Sequence, residues 1–332
     1  MSTYAIPASA WIPLWFVLWL PLAGFWLWQQ PRGKLRWLDR VYPLLPLAMA
    51  LLYMSIGWRW PPALSGAFVQ WLALGVWLWL MLTLVWLISV LKRDSSIMDW
   101  AFGYLLVAAP WWLWSQLPPE RSSAHLVLVV LSTLGFGRYA LYVTWRNLPH
   151  GEDPRYARWR ERSGPRWWWW SYFQVFLLQG VVMWLWAIPM VLALRLEAGW
   201  SLWHGLGALI WLVGLVFEAG GDWQLARFKR ERKSAEQLLD SGLWSLCRHP
   251  NYFGQACMWW GYAVIALAHP WGWLALPSAA YVTWFMHKGS ATSLMERHMM
   301  KTKPGYAQYC ERVPAFFPRW PVKTPVQKEP QA

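Results

Sequence analysis

Cysteine is scarce: Cys247, Cys257 and Cys310 are the three in 332 residues. They are too few and too scattered for a disulfide framework or a zinc site. The seven histidines form no HxxH or HExxH pair, so no metal site can be argued from spacing. No GxGxxG follows a strand pattern, and no GxxxxGK precedes a Ser or Thr, so the soluble nucleotide folds are excluded. Nothing is spaced for Ser-His-Asp catalysis, and no internal repeat appears. Acids are also few. Sixteen Asp and Glu face thirty Lys and Arg, a net charge of +14. A basic excess of that size can mark a nucleic-acid binder. Here the basic residues sit in short loops between apolar runs, so that reading is rejected. The first apolar run lacks a charged leader and reads as a first span, not a cleavable signal peptide.

Apolar residues dominate what remains. Hydrophobic residues make up 57% of the chain, charged ones 14%, and Trp occurs 35 times. Continuous runs near the ~20 residues that cross a bilayer recur along the chain. Backbone groups in hydrocarbon must bond internally, so these runs predict helices. A barrel would instead show polarity alternating over about ten residues. The expected fold is an all-α polytopic membrane bundle of about nine transmembrane helices. They cover roughly 9–28, 41–57, 66–91, 98–117, 124–145, 172–194, 202–226, 252–269 and 271–287. The last two, joined by His269-Pro270-Trp271, should form a tight hairpin. Pro13, Pro21, Pro189 and Pro277 fall within spans, where neighbouring helices can absorb a lost hydrogen bond.

Twenty-six of the thirty Lys and Arg fall in one set of alternate loops, and Arg59, Arg121 and Arg195 in the other. The positive-inside rule then puts the N-terminus outside and the C-terminus in the cytoplasm. Trp58, Trp60, Trp111, Trp112 and Trp167 to Trp170 lie near span ends and read as an aromatic belt. Residues 321–332 are polar and Pro-containing, and read as disordered.

Ionisable groups inside a span are costly and mark function by default. Arg138 lies mid-span, with Tyr142 and Arg146 following on the same helical face. Asp99 opens the fourth span. Glu218 and Asp222 share a face near the cytoplasmic end of the seventh, with Gln224 close by. Gly220 and Gly221 would admit another backbone there. Arg138 either pairs with one of these acids to lock the bundle or lines a pocket, or does both. The densest polar stretches are 222–252 and 294–318, which flank the closing hairpin. They supply cations for phosphates (Arg227, Lys229, Arg248), aromatic faces for a base (Trp244, Tyr252) and polar groups for ribose or carboxamide (Asn251, Glu296). Arginine suits phosphate because its planar fork bonds two oxygens at once. An ordinary basic loop explains the same residues without a ligand.

The segment GLWSLCRHPNYFG at 242–254 resembles membrane reductases with a steroid 5α-reductase-like C-terminal domain, in particular the bacterial DUF1295 family. The resemblance includes Asp222 and Gln224 ahead of Phe228, Gly242 to Trp244, and Arg248 to Gly254. After the hairpin come Leu294 with Glu296, Tyr306 with Tyr309, and Phe316 to Pro318. GEDPRYARWRERSG at 151–164 and FQVFLLQG at 173–180 also fit, so coverage is about 95–320. This divides the chain into N-terminal helices over 1–94, the family domain over 95–320 and a tail over 321–332.

The resemblance implies NADPH-dependent reduction of a polarised carbon–carbon double bond in a lipid-like substrate that enters from the membrane. It implies cofactor contacts at Trp244, Asn251, Tyr252 and Tyr309, and nearby at Arg227, Lys229 and Glu296. Arg248 and His249 of the motif are counted in the same expected site. Tyr139, Tyr142 and Glu218 are candidate proton partners. Many relatives carry an acid where this chain has Gln255; an amide can hydrogen-bond but cannot shuttle a proton. Isoprenylcysteine carboxyl methyltransferases share a similar hairpin and bind S-adenosylmethionine, usually with paired acids after it. That activity is the alternative, and a non-enzymatic lipid-binding role is a third. The expected location is the bacterial inner membrane.

Overall fold

The computed structural model describes residues 61–118, 122–196 and 199–320, with Leu20, Pro21, Ala23, Gly24 and Leu51 before them. The first two expected spans, 9–28 and 41–57, and the tail 321–332 lie outside the described residues apart from those few positions. Among the described residues every regular element is helical, and the chain falls into two compact units. The first unit comprises residues 1–204 and 262–278, and the second 205–261 and 279–332.

The first unit is built on α1 (Pro62–Lys92), α2 (Ile97–Ser115), α3 (Ser123–Asn147), the short surface helix α4 (Pro154–Ser163) and the one-turn α5 (Trp167–Ser171). A π-helical stretch at Tyr172–Leu177 leads into α6 (Leu178–Trp186), and α7 (Ile188–Arg195) follows. The expected span 172–194 is therefore broken. Its two parts bend by 42° at Ala187. Pro189 explains the bend, because it has no N–H to give the carbonyl four residues back. That carbonyl, Leu185 O, instead accepts from Ser278 Oγ at 2.8 Å. Gly103 lets α2 and α3 meet closely. A Cβ there would stand 2.8 Å from the Ala140 Cα. Small residues at such crossings are how membrane helices pack without a hydrophobic drive between them.

Tryptophan does more than form a belt. Trp71, Trp184, Trp186, Trp211 and Trp259 are buried, and so is Trp167, expected at the interface. The indoles of Trp71 and Trp184 stack at 3.9 Å with 5° between planes. Each donates to the other's backbone carbonyl, at 2.8 and 2.7 Å. The pair joins α1 to α6 by packing and two hydrogen bonds at once. Trp184→Phe keeps the stack and removes one bond. It should lower stability by about 1 kcal/mol, read as a small fall in detergent melting temperature.

The second unit holds most of α8 (Leu202–Glu231), the first two-thirds of α9 (Pro250–Ala266), most of α10 (Leu276–Lys288), α11 (Ser290–Thr302) and α12 (Tyr306–Arg312). The expected hairpin is longer-jointed than three residues. α9 stops at Ala266, and a 3-10 turn at Gly272–Ala275 precedes α10. Gly272 lies against the Ala266 carbonyl with no room for a Cβ, which seals the turn. Trp260 Nε1 donates to Thr283 Oγ1 at 2.9 Å, tying α9 to α10.

Glycine sets the distance between α8 and α9. Gly207, Gly214 and Gly221 recur every seven residues on α8, and Gly254 and Gly261 do so on α9. A Cβ on Gly214 would meet Gly254 O at 2.6 Å, and one on Gly261 would meet Gly207 O at 2.7 Å. A Cβ on Gly254 would fall inside contact distance of Glu218 N and Gly214 O. Near the end of the seam Gly221 faces Asn251 N and Gly220 faces Leu243, the close approach that the glycine pair predicts.

Among the described residues, three helices can cross a membrane by length and composition: α1, α3 with its 3-10 extension to His150, and α8. The bent segment ending in α7 makes a fourth if taken as one span.

Candidate functional site

The polar residues of the second unit converge on the C-terminal half of α8. Asn251, in the first turn of α9, donates through Nδ2 to Asp222 Oδ1 at 3.1 Å. One turn along each helix, Gln255 Nε2 donates to Glu218 Oε1 at 3.3 Å. Both acids are buried. The 242–249 loop is pinned to the same helix: Leu243 N donates to Gln224 Oε1 at 3.0 Å, and Trp244 Nε1 to Gly221 O at 3.1 Å. Gly242 takes a positive φ of 62°, which turns the chain into this loop.

The tail closes on the loop from its other side. Tyr309 OH donates to Trp244 O at 2.6 Å. Arg248 N donates to Pro314 O at 2.9 Å, and Arg319 N to Leu246 O at 3.0 Å. Arg248 holds the clasp together. Its guanidinium bonds Glu296 Oε1 at 2.8 and 3.0 Å, Val313 O at 2.7 Å and Cys310 O at 3.2 Å. His249 Nε2 reaches the same Glu296 oxygen at 3.1 Å. A carboxylate only accepts, so Nε2 carries a proton. Nδ1 is buried without a hydrogen-bond partner among the described residues. The Tyr252 ring stacks on His249 at 5.6 Å. Lys303 Nζ adds a bond to Ala235 O and another to Gln237 O at 3.2 Å.

These contacts set the local charge. Glu296 is held down at about 2, first by the His249 hydrogen bond and then, against the opposing effect of burial, by Arg248. Burial alone would lower the Arg248 guanidinium, but Glu296 more than offsets it and raises it. Burial pushes Cys247 up to about 12, so its thiol stays protonated. The Tyr309 phenol is raised too, mainly by burial, and remains a donor.

Asp222, Gln224, Trp244, Arg248, His249, Asn251, Tyr252, Gln255, Glu296 and Tyr309 are thus one connected group with Glu218. Two expected phosphate cations stand differently. Arg227 is exposed, pairs with Glu231 at 2.9 Å and lies over the Trp223 ring; Lys229 is exposed near the end of α8. Arg248 commits four N–H groups to the clasp, which makes it a strut between loop and tail. Motif position alone did not reveal that role.

The remaining candidates belong to the first unit. Tyr142 lies between Arg138 at 5.6 Å and Arg146 at 5.7 Å, as their shared helical face requires. Tyr139 is on the same helix, where it crosses Gly103. Asp99 is taken by two residues that sequence reasoning missed. Tyr156 OH donates to it at 2.6 Å and Arg155 pairs with it at 2.8 Å.

Long apolar helices, close glycine crossings and a polar clasp built from two distant stretches define a polytopic helical membrane protein. The chain belongs to the family described as "Protein of unknown function (DUF1295)", which matches residues 85–313. It is also distantly similar to the steroid 5-alpha-reductase DET2 of Arabidopsis thaliana, with 28% identity over 81 residues. That similarity covers 24% of this chain and 29% of the Arabidopsis protein, well short of its full length.

Proposed function

We propose that this protein is an NADPH-dependent membrane reductase of a polarised carbon–carbon double bond in a lipid-like substrate. One observation carries the reading. The loop and the tail that hold the reductase-like motifs join in a single clasp against α8, through Tyr309, Arg248 and Glu296. The similarity to a steroid 5-alpha-reductase supports the same chemistry. The residues fit the cofactor on structural grounds. His249 Nδ1 is buried without a hydrogen-bond partner among the described residues, and suits a polar group of ribose or carboxamide. Trp244 and Tyr252 offer aromatic faces, and Arg227 and Lys229 offer exposed charge for phosphates.

NADPH, when bound, supplies the hydride for one carbon of the double bond. The chain's residues orient both reactants and deliver a proton to the neighbouring carbon. Tyr139, Tyr142 and Glu218 are the candidates for that proton, and none of them is assigned. Asp222 and Glu218 hold Asn251 and Gln255 in place, so Gln255 acts as a hydrogen-bonding spacer where many members carry an acid. Purified protein should bind tritium-labelled NADPH saturably and give no heat with S-adenosylmethionine in calorimetry. Saturable S-adenosylmethionine binding without NADPH binding would favour the methyltransferase reading.

The nine-span count, the outside N-terminus, the division at residues 94 and 320 and the bacterial inner membrane form part of this proposal. Reporter fusions after residues 118 and 166 should report opposite sides, with 166 cytoplasmic.

A further inference from the structure

A second polar feature lies in the first unit, and the proposed reaction does not use it. A cavity of about 530 Å³ opens at the C-terminal end of α1. Its wall includes Ser89, Arg93, Ser95, Arg160, Trp167 and Trp168. Ser89 is 2% exposed, and its hydroxyl has no hydrogen-bond partner among the described residues. A buried serine in a helix ordinarily bonds a carbonyl one turn back, as Thr83 does to Trp79. Ser95 Oγ accepts from Trp167 Nε1 at 3.1 Å and keeps its own proton to donate. Arg160 spends Nε and Nη2 on Glu152 and on Arg93 O, and Nη1 makes no bond among the described residues. Arg93, in the left-handed region at φ 52°, forms no salt bridge among the described residues; the carboxylate of Asp94, next in the chain, accepts from Ser96 N and Oγ.

The cavity is therefore rich in donors and poor in acceptors. Glu152 pairs with Arg160, so Arg93 is the cation of this lining that makes no ion pair among the described residues. Donors around a cation that makes no ion pair select an oxyanion, and the guanidinium fork suits phosphate above others. The surroundings select what carries it. α1 is a 31-residue apolar helix, and the cavity sits at its last turns. Leu84, Leu87, Ile88 and Leu91 are exposed on those same turns, Leu91 at 84%. Indole rings at a span end mark headgroup depth.

We infer that this cavity binds the phosphate of an anionic lipid headgroup, with Arg93, Ser89 and Ser95 as its ligands. The apolar side of α1 then carries the acyl chains. All the residues of this site lie in the first unit, and none of them belongs to the proposed cofactor clasp.

The test uses the full chain, delipidated in detergent, with binding read by native mass spectrometry and by melting temperature. Dioleoyl phosphatidic acid is the probe. Dioleoylglycerol, with the same chains and no phosphate, is the control, and inorganic phosphate is the third arm. Wild type should bind phosphatidic acid saturably and melt higher with it, while dioleoylglycerol does nothing. Arg93→Gln should weaken binding about tenfold or more. Ser89→Ala should weaken it while melting no lower than wild type without lipid, because it removes an unmet hydroxyl. Inorganic phosphate binding as tightly as the lipid would support the phosphate site and assign it to soluble esters. Equal binding of phosphatidic acid and dioleoylglycerol would overturn the inference. So would phosphatidic acid binding that survives both substitutions.

Discussion

Gly254→Ala is expected to prevent the second unit from assembling. The added methyl would press on Glu218 N and Gly214 O, which are backbone atoms in the middle of a thirty-residue helix. A flexible side chain would give way, but this backbone cannot shift without breaking the α8–α9 seam. Overpacking in a side-chain core costs about 1–3 kcal/mol, and a backbone clash lies at or above the top of that range. The expected result is a large loss of monodisperse protein in size-exclusion chromatography and no NADPH binding. Gly66→Ala is the control, because a Cβ there meets nothing within 4 Å. It should fold like wild type. Wild-type melting of Gly254→Ala would show that the seam is looser than described.

Arg248→Met has the second largest expected effect, and it acts on the clasp. Removing one partner of a largely buried ion pair costs about 3–5 kcal/mol, because the other charge is left behind. Glu296 would be that charge, and the Val313 and Cys310 carbonyls would lose their donor. The tail should then become sensitive to trypsin near Lys301 and Lys303, and NADPH affinity should fall at least tenfold. Arg248→Met combined with Glu296→Leu should recover part of the protease resistance. The same contact sets a pH window. Glu296 falls from 4.5 to about 2 on folding, so its contribution is complete above pH 4.5. It is lost as the pH falls through about 2. Protease resistance of the tail should fade below pH 4.5 in wild type and show no such step in Glu296→Gln.

Much of this architecture is legible in the sequence, for reasons tied to particular residues. Continuous apolar runs mark α1, α3 and α8 because hydrocarbon permits no other backbone solution. The Arg138–Tyr142–Arg146 face follows from helical spacing alone. The paired Gly220 and Gly221 announce a close approach, and Leu243 and Asn251 supply it. The longer seam was also readable, since Gly207, Gly214 and Gly221 repeat every seven residues, as Gly254 and Gly261 do. The same spacing on two helices is the signal that went unread.

Other features depend on partners far away in the chain. Nothing near Asp99 points to Tyr156, and nothing near Trp71 points to Trp184. Arg248 looks like a phosphate ligand until Glu296 and two tail carbonyls are set around it. The bend at Ala187 follows from Pro189, but only Ser278 shows how the freed carbonyl is satisfied.

Hydrogen–deuterium exchange with and without NADPH tests the central claim most directly. The 242–255 loop and the 296–314 tail should gain protection together, at one ligand concentration, while 151–166 stays unchanged. Protection of one stretch without the other, or of neither, would contradict a shared dinucleotide cradle.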